Sequence, residues 1–578
     1  MKKTVIIGKY EFEIDNPNSV IDEKFECLQN NGRVEIRFLF NFGKDVSPKK
    51  IIISHQTQRY GCAYVWSSSS GLKRNLLPDW IGAKIQSRSV VGTPILSFAG
   101  FNDENIITLS LSDAETPSTI SGGYSEQTGG INFKIELFSG VVGVMNSYGV
   151  SLIIDERPLP FYECVKQASA DFERKLPVRG IVNSAKQPVY STWYSNHQDL
   201  KREELLADCK KAKSLGMDTV IIDDGWQTDD KSYGYGFCGD YYPSAKKVGE
   251  MSSLVGELHS IGMKVMLWYS VAFLGEFSEA FPKFKDKTLR YNEKLHCYVL
   301  DPRFKEVREF IADFLCRSAK EWGIDGLKLD FIDSFVLPEN LTEREGIDCN
   351  TLEEGISKLL DNIKAVFEGI SPDFMVEFRQ SYIGPCMRKL ASMFRVNDCP
   401  GDMVANRVGI ADLKFTSGGI PVHSDPIMFP IDAEKEYIGT LFANSMFGVI
   451  QFSVSPVKLN TEQLETVKFW LEFLRENKST LIDGEFRVCG GVNAYTECSA
   501  SGNQNVIIAY FVQNHVVKID SAQTTVVNAS GVKGGFISAE RERAYKIVDC
   551  SGNVIKSGHL NGLKYFDIPV GGMIKING

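Results

Sequence analysis

Over residues 1–175 hydrophobic and polar side chains alternate in short runs, as in Val34-Glu35-Ile36-Arg37-Phe38-Leu39-Phe40 and Ile106-Ile107-Thr108-Leu109-Ser110-Leu111. Gly, Asn, Asp and Ser clusters separate the runs. A period of two with regular turns predicts a β-sandwich, closed by a linker helix over 161–174 that Lys175-Leu176-Pro177 breaks. From Pro188 the pattern changes. Short apolar runs, long enough for buried parallel strands, alternate with stretches of helical period. They predict strands over 188–193, 219–223, 264–268, 326–330, 375–378, 393–395, 421–423 and 449–452. Among the intervening helices, one over 305–322 buries Val307, Phe310, Ile311 and Phe314. Another places Ile356, Leu359, Leu360, Ile363 and Phe367 on one side, and Asp199 is expected to cap a helix carrying Leu205, Cys209 and Ala212. Eight strands with intervening helices are the count for a (β/α)8 barrel. After a helix over 462–477 the chain returns to β patterning, as in Asn505-Val506-Ile507-Ile508-Ala509-Tyr510-Phe511.

The expected architecture is therefore multidomain. An N-terminal β-sandwich with its linker helix occupies 1–175, a TIM barrel 176–478, and a C-terminal antiparallel β-sandwich 479–578. The length of 578 residues agrees with more than one core.

Hydrophobic content of 43% and charged content of 24% are those of a soluble globular chain. A net charge of −9 without clustered Lys and Arg argues against a nucleic-acid surface and for a neutral substrate. No apolar stretch is long enough to span a bilayer, so no membrane partner is expected. Thirteen cysteines without CxxC spacing read as free thiols in a reducing compartment, and with no signal-peptide pattern after Met1-Lys2-Lys3 a cytoplasmic protein is expected. Seven histidines, none in a His-x-His or His-Glu-x-x-His pattern, leave the usual catalytic zinc signatures out.

The chemistry sits at strand ends. The second strand runs into Asp223-Asp224-Gly225-Trp226-Gln227, which reads as turn chemistry or as a sugar-binding carboxylate pair with a tryptophan for the ring. Lys328-Leu329-Asp330 ends the fourth strand, with Lys328 and Asp330 on one side and the ammonium keeping the carboxylate ionised, as a nucleophile requires. Arg395-Val396-Asn397-Asp398-Cys399-Pro400-Gly401-Asp402 follows the sixth strand. There Asp398 or Asp402 is the candidate proton donor, Asp402 being nearly as well explained as a helix N-cap, and Arg395 orients the donor or binds a sugar hydroxyl. Trp193 and Trp268 end the first and third strands. His423-Ser424-Asp425 cannot form a triad, because neighbours on a strand face opposite ways, and reads as rim or supporting structure; Cys399 reads as a buried thiol.

At these residues the chain resembles the retaining α-galactosidases of glycoside hydrolase family 36 and their raffinose-synthase branch, in motif detail over about 188–429 and in layout throughout. The resemblance implies Asp330 as nucleophile and Asp398 as acid/base. It implies Asp223 and Asp224 as ligands of the galactose O4 and O6 hydroxyls, and Trp193, Trp268 and Lys328 as pocket residues. It departs from the family pattern at Ile332, where many members have Asn, at Trp268-Tyr269-Ser270, and at Glu377-Phe378-Arg379-Gln380, which replaces a Gly-rich, Cys-containing segment and brings Arg379 to the site. The expected function is double-displacement cleavage of terminal α-galactosides on an oligosaccharide or glycoside, without metal or organic cofactor, and with a raised pKa on Asp398 from burial and the nearby Asp330. Galactosyl transfer to a sugar acceptor, action on N-acetylgalactosaminides and non-catalytic sugar binding stay open. So does self-association into a homo-oligomer, with Trp80 reaching its own pocket or a neighbour's.

Overall fold

The structure, a computed structural model, describes residues 2–339, 344–502, 505–521 and 523–577. The N-terminal strands form two six-stranded sheets, one built around Ile51–Thr57 and Ile131–Leu137, the other around Arg33–Val46 and Met145–Asp155. Alternation decides which face is inside: along Tyr10–Asp15 every second residue is buried, and Phe12, Ile53, Phe38 and Leu152 meet in one core. The linker helix Phe161–Glu173 follows. Its Tyr162 stacks on Phe415 of the barrel helix Met403–Thr416 at 5.7 Å.

The barrel strands are β1 (Val189–Ser191), β2 (Thr219–Ile222), β3 (Lys264–Ser270), β4 (Gly326–Asp330), β5 (Met375–Arg379), β6 (Met393–Arg395), β7 (Val422–His423) and β8 (Gln451–Phe452). They pair in parallel in chain order, with β8 returning to β1. The remaining seam is held by Val449 N–H donating to the Val422 carbonyl at 2.8 Å and Ser424 N–H to the Val449 carbonyl at 2.9 Å. All eight expected strands exist, and parallel closure brings their carboxyl ends to one face.

Local expectations fail in instructive places. Trp193 does not extend β1; it opens a helical turn, Trp193–Asn196. The helix Arg202–Leu215 starts after Lys201, not Asp199, because Lys231 captures the Asp199 carboxylate. A three-stranded sheet (Phe273–Gly275, Thr288–Asn292, Cys297–Leu300) is inserted after β3. The C-terminal domain is a mixed eight-stranded sheet around Val517, Ile537 and Ile574, and two of its pairings, Asn505–Tyr510 with Gln523–Asn528 and Val516–Ile519 with Gly535–Val548, are parallel. All three units meet at buried Asp412, which accepts from Trp66 and Arg74 of the sandwich and from Tyr495 beyond the barrel. All thirteen cysteines are unpaired.

Candidate active site

Strand alternation puts Lys328 and Asp330 inside the barrel, and the structure gives each its own partner. Lys328 Nζ donates to Asp223 Oδ2 at 2.6 Å, across from β4 to β2. The Asp223 backbone N–H donates to Thr192 Oγ1 at 2.9 Å. Asp224 turns the other way and accepts from Gln198 Nε2 at 2.6 Å and Gln227 Nε2 at 2.8 Å. Gly225 is what permits this approach. Its φ is +110°, and a Cβ there would lie 2.6 Å from Gln198 Cα. Both acids are buried. Burial, with the charges of Asp223 and Asp330, pushes the Asp224 carboxyl up to about 6 against the lowering effect of its two amide bonds.

Asp330 is held by four donors. Oδ1 accepts from Arg379 Nε at 3.0 Å, from the Phe331 N–H at 2.9 Å and from the Tyr382 hydroxyl, while Oδ2 accepts from Trp268 Nε1 at 3.1 Å. Phe331 reaches back only because it adopts φ 59°, the left-handed region. For a non-glycine residue this conformation costs roughly 1–3 kcal/mol and clusters at functional sites. Burial alone would raise the Asp330 carboxyl. Arg379, Lys328 and the bonds from Tyr382 and Trp268 outweigh it and bring it down to about 2.

Arg379 is the bridge across the site, its NH1 bonding Asn397 Oδ1 at 3.1 Å beside Asp398. The Asp398 side chain keeps 44% of its surface exposed, with Arg395 NH2 on its Oδ1 at 2.8 Å. The same guanidinium grips Asp425 through NH1 and lies 3.5 Å from Glu377 Oε1 through Nε. The expected raised pKa of Asp398 is not found. Partial burial does raise it, but Arg395, Arg379 and Lys328 together hold it below the usual carboxylate range. Asp425, also bound by Tyr194 OH at 3.0 Å and the Cys399 N–H at 2.9 Å, is instead pushed by burial to about 6 despite its Arg395 contact.

Two sequence candidates fall outside this constellation. Trp226 is fully buried, with its ring against Tyr269 and Trp322 and its indole N–H on the Trp268 carbonyl at 3.0 Å, so it supports Trp268 and offers no face to a sugar. Asp402 is exposed and caps the helix Met403–Thr416, accepting from Val404 N at 3.1 Å and Ala405 N at 2.9 Å. Trp193 is half-buried with its edge on His197. His423 is buried, not at the rim. Its Nε2 lies 2.7 Å from the Ala185 carbonyl, and burial pushes its pKa down to about 4.

Several contributing residues escaped the sequence reading. Tyr382 and Gln198 lie on loops and Tyr194 in the single helical turn Trp193–Asn196, and no periodicity predicts their paths. Tyr235, stacked on Trp268 at 5.9 Å between rings, belongs to the long β2 loop. Asp425 lies in the His423-Ser424-Asp425 run, which in sequence reads as rim or supporting structure with no partner named for it.

Residues 163–372 match the melibiase family. The chain is 28% identical over 158 residues to the bifunctional α-galactosidase/sucrose kinase AgaSK of Mediterraneibacter gnavus, covering 26% of this chain and 16% of that protein. It is 25% identical over 228 residues to α-galactosidase 1 of Pediococcus pentosaceus, covering 36% and 30%. The matched segments thus span under two thirds of these relatives. In fold it resembles the GH36 α-galactosidase AgaA of Geobacillus stearothermophilus solved with raffinose, with a TM-score of 0.65, 14% identity and coverage of 98% of this chain and 81% of that one. It also resembles the Thermus thermophilus α-galactosidase TtGalA, with a TM-score of 0.55, 15% identity and coverage of 86% and 98%. The chain thus carries a melibiase-family segment, residues 163–372, within a fold it shares with GH36 α-galactosidases.

Proposed function

We propose that the protein hydrolyses terminal α-galactosides of oligosaccharides with retention of configuration. The observation that carries the reading is the state of Asp330. A nucleophilic carboxylate must be ionised and aimed, and Asp330 is held at about 2 with three donors fixing Oδ1, while Oδ2 carries only the Trp268 bond. Oδ2 attacks the anomeric carbon, and Asp398 gives its proton to the departing oxygen. The ester is then opened by water that Asp398 deprotonates. Asp223, fixed by Lys328, and Asp224, fixed by two amides, supply acceptors for sugar hydroxyls. The galactosidase names of its sequence relatives and the raffinose held by the AgaA structure support the choice of sugar.

The test is the anomer first released from an α-galactoside, followed by proton NMR before mutarotation. α-Galactose is expected. β-Galactose as the first product, or no turnover of any α-galactoside, overturns the reading.

A further inference from the structure

A cavity of about 510 Å³ lies at the amino end of the barrel, opposite the catalytic face and within the roughly 300–1,000 Å³ usual for ligand sites. It opens where Gly419-Ile420-Pro421 leads into β7 and where Ile181 and Lys186 precede β1. Residues 482–486, at the start of the C-terminal domain, form its far wall. Three lysines from three parts of the chain line it: Lys166 of the linker helix, Lys186, and Lys414 in the last turn of the helix Met403–Thr416. The rings of Phe447 and Phe486, 5.3 Å apart between centroids, give it an apolar side.

The charges around this cavity do not balance. Lys166 is paired with Glu163 at 2.9 Å and Lys186 with Asp483 at 2.5 Å. Glu485 turns to Arg487 at 2.8 Å. Among the described residues, Lys414 has no carboxylate of its own. Its Nζ donates to the Leu481 carbonyl at 3.0 Å and the Ile482 carbonyl at 3.2 Å, and it lies 5.2 Å from the centre of the Phe486 ring. An ammonium has three N–H groups, so two carbonyls leave one donor and a full positive charge unanswered. Burial brings the Lys414 pKa down to about 8; Lys166 adds to the shift, and Asp483 and the Cys498 thiol offset only part of it.

We infer that this cavity is a second ligand site, and that it takes a small organic monoanion, a carboxylate on an apolar body, with Lys414 as its counter-charge. One unmatched cation asks for one negative charge, which argues against a phosphate dianion. The body of the ligand meets Ile420, Phe447 and Phe486 beside that ammonium. A buried charge is costly until it is paired, so the anion supplies what the chain itself leaves out. The site lies at the other end of the barrel from Asp330 and Asp398 and stands independently of the hydrolase reading.

The test is calorimetric titration of the full chain with benzoate, with its neutral counterpart benzamide, and with inorganic phosphate. Benzoate should bind, and benzamide should bind roughly tenfold more weakly or worse. Repeating the benzoate titration in two buffers of different ionisation enthalpy reads the proton balance. About half a proton should be taken up per benzoate at pH 8, where free Lys414 is partly neutral, and close to none at pH 6, where it is already charged. Lys414→Met should weaken benzoate roughly tenfold or more. Ile181 is 62% exposed and lines the cavity, so its replacement should spare the fold. Ile181→Glu should weaken benzoate and Ile181→Lys should strengthen it. No benzoate binding, equal binding of benzamide, tighter binding of phosphate, no proton uptake at pH 8, or unchanged affinity in a folded Lys414→Met overturns the site. Should Lys414→Met fail to fold, the Ile181 pair decides, and equal affinity in its two members overturns the site.

Discussion

The Arg395 guanidinium lies 2.8 Å from Asp398 Oδ1 and grips Asp425 with its other terminal nitrogen, so one buried cation serves two carboxylates of opposite character. Asp398 is drawn below the usual range, while Asp425 is pushed up to about 6. A proton donor with a depressed pKa is protonated only on the acid side. For galactosides with poor leaving groups, kcat/KM should therefore decline as pH rises through the Asp398 pKa, and the working optimum should be acidic. Arg395→Lys, which keeps a charge but not the fork, should move that alkaline limb upward by roughly one pH unit. A pH–rate profile on such a substrate checks this, and an unmoved limb would show that Arg395 does not set the donor's proton affinity.

Asp224 gives a second, separable pH signal. Its carboxyl is pushed up to about 6, so below that pH it carries a proton and loses an acceptor site for sugar hydroxyls. KM should rise as pH falls through 6, with Asp330, held at about 2, still ionised. The two also differ in their linkage to folding, where each tenfold change in proton affinity between the unfolded and folded chain is worth roughly 1.4 kcal/mol. Asp330, with a lowered folded pKa, contributes stability above about pH 4 that is lost as pH falls toward 2. Asp224, with a raised one, favours the fold at low pH, and that contribution is lost as pH rises from about 4 to 6. KM measured from about pH 5 to 8, in the parent and in Asp224→Asn, checks the binding half; the low-pH rise should vanish in the variant.

How much of this was legible in the sequence follows from what determines each feature. Barrel strands are fixed by apolar runs that must be buried on both faces, and all eight are found there; the position of Asp330 at the end of β4 follows directly. The lowered proton affinity of Asp330 was legible in part from Lys328, but that of Asp398 was not. Both depend on which cations fold back onto each acid, and Arg379 and Arg395 come from strands whose paired register, with Arg379 opposite Arg395, only the sheet creates. Tryptophans misled for a related reason. Trp226 follows a catalytic-end motif, yet its indole turns into the layer behind the strands, where Tyr269 and Trp322 enclose it. Short sequence spacing places a residue near a site without saying which way its side chain turns.

Asp402 separates capping from catalysis. It is exposed and accepts from two backbone N–H groups of the first helical turn. Asp402→Ala should therefore cost roughly 1 kcal/mol of stability and leave kcat/KM unchanged. Chemical denaturation and steady-state kinetics on the same preparation check both halves. A large kinetic loss at unchanged stability would make Asp402 a candidate acid again.

The roles of Asp330 and Asp398 are separated by rescue with azide, an anionic nucleophile that needs no base. Asp330→Ala should abolish turnover of every substrate, because no ester can form. Asp398→Ala should retain the first step on aryl galactosides with good leaving groups, since these depart with little protonation, and should stall with the ester accumulated because nothing activates water. Azide then opens that ester from the face water would have used, so Asp398→Ala should yield an α-galactosyl azide. In Asp330→Ala the place vacated by the carboxylate lies on the opposite face, and azide entering there should yield the β-azide by a single inversion. NMR of the two products distinguishes them through the anomeric coupling. A β-azide from Asp398→Ala together with an α-azide from Asp330→Ala would exchange the two assignments. Rescue of neither variant, with the parent active, would place the chemistry on other residues.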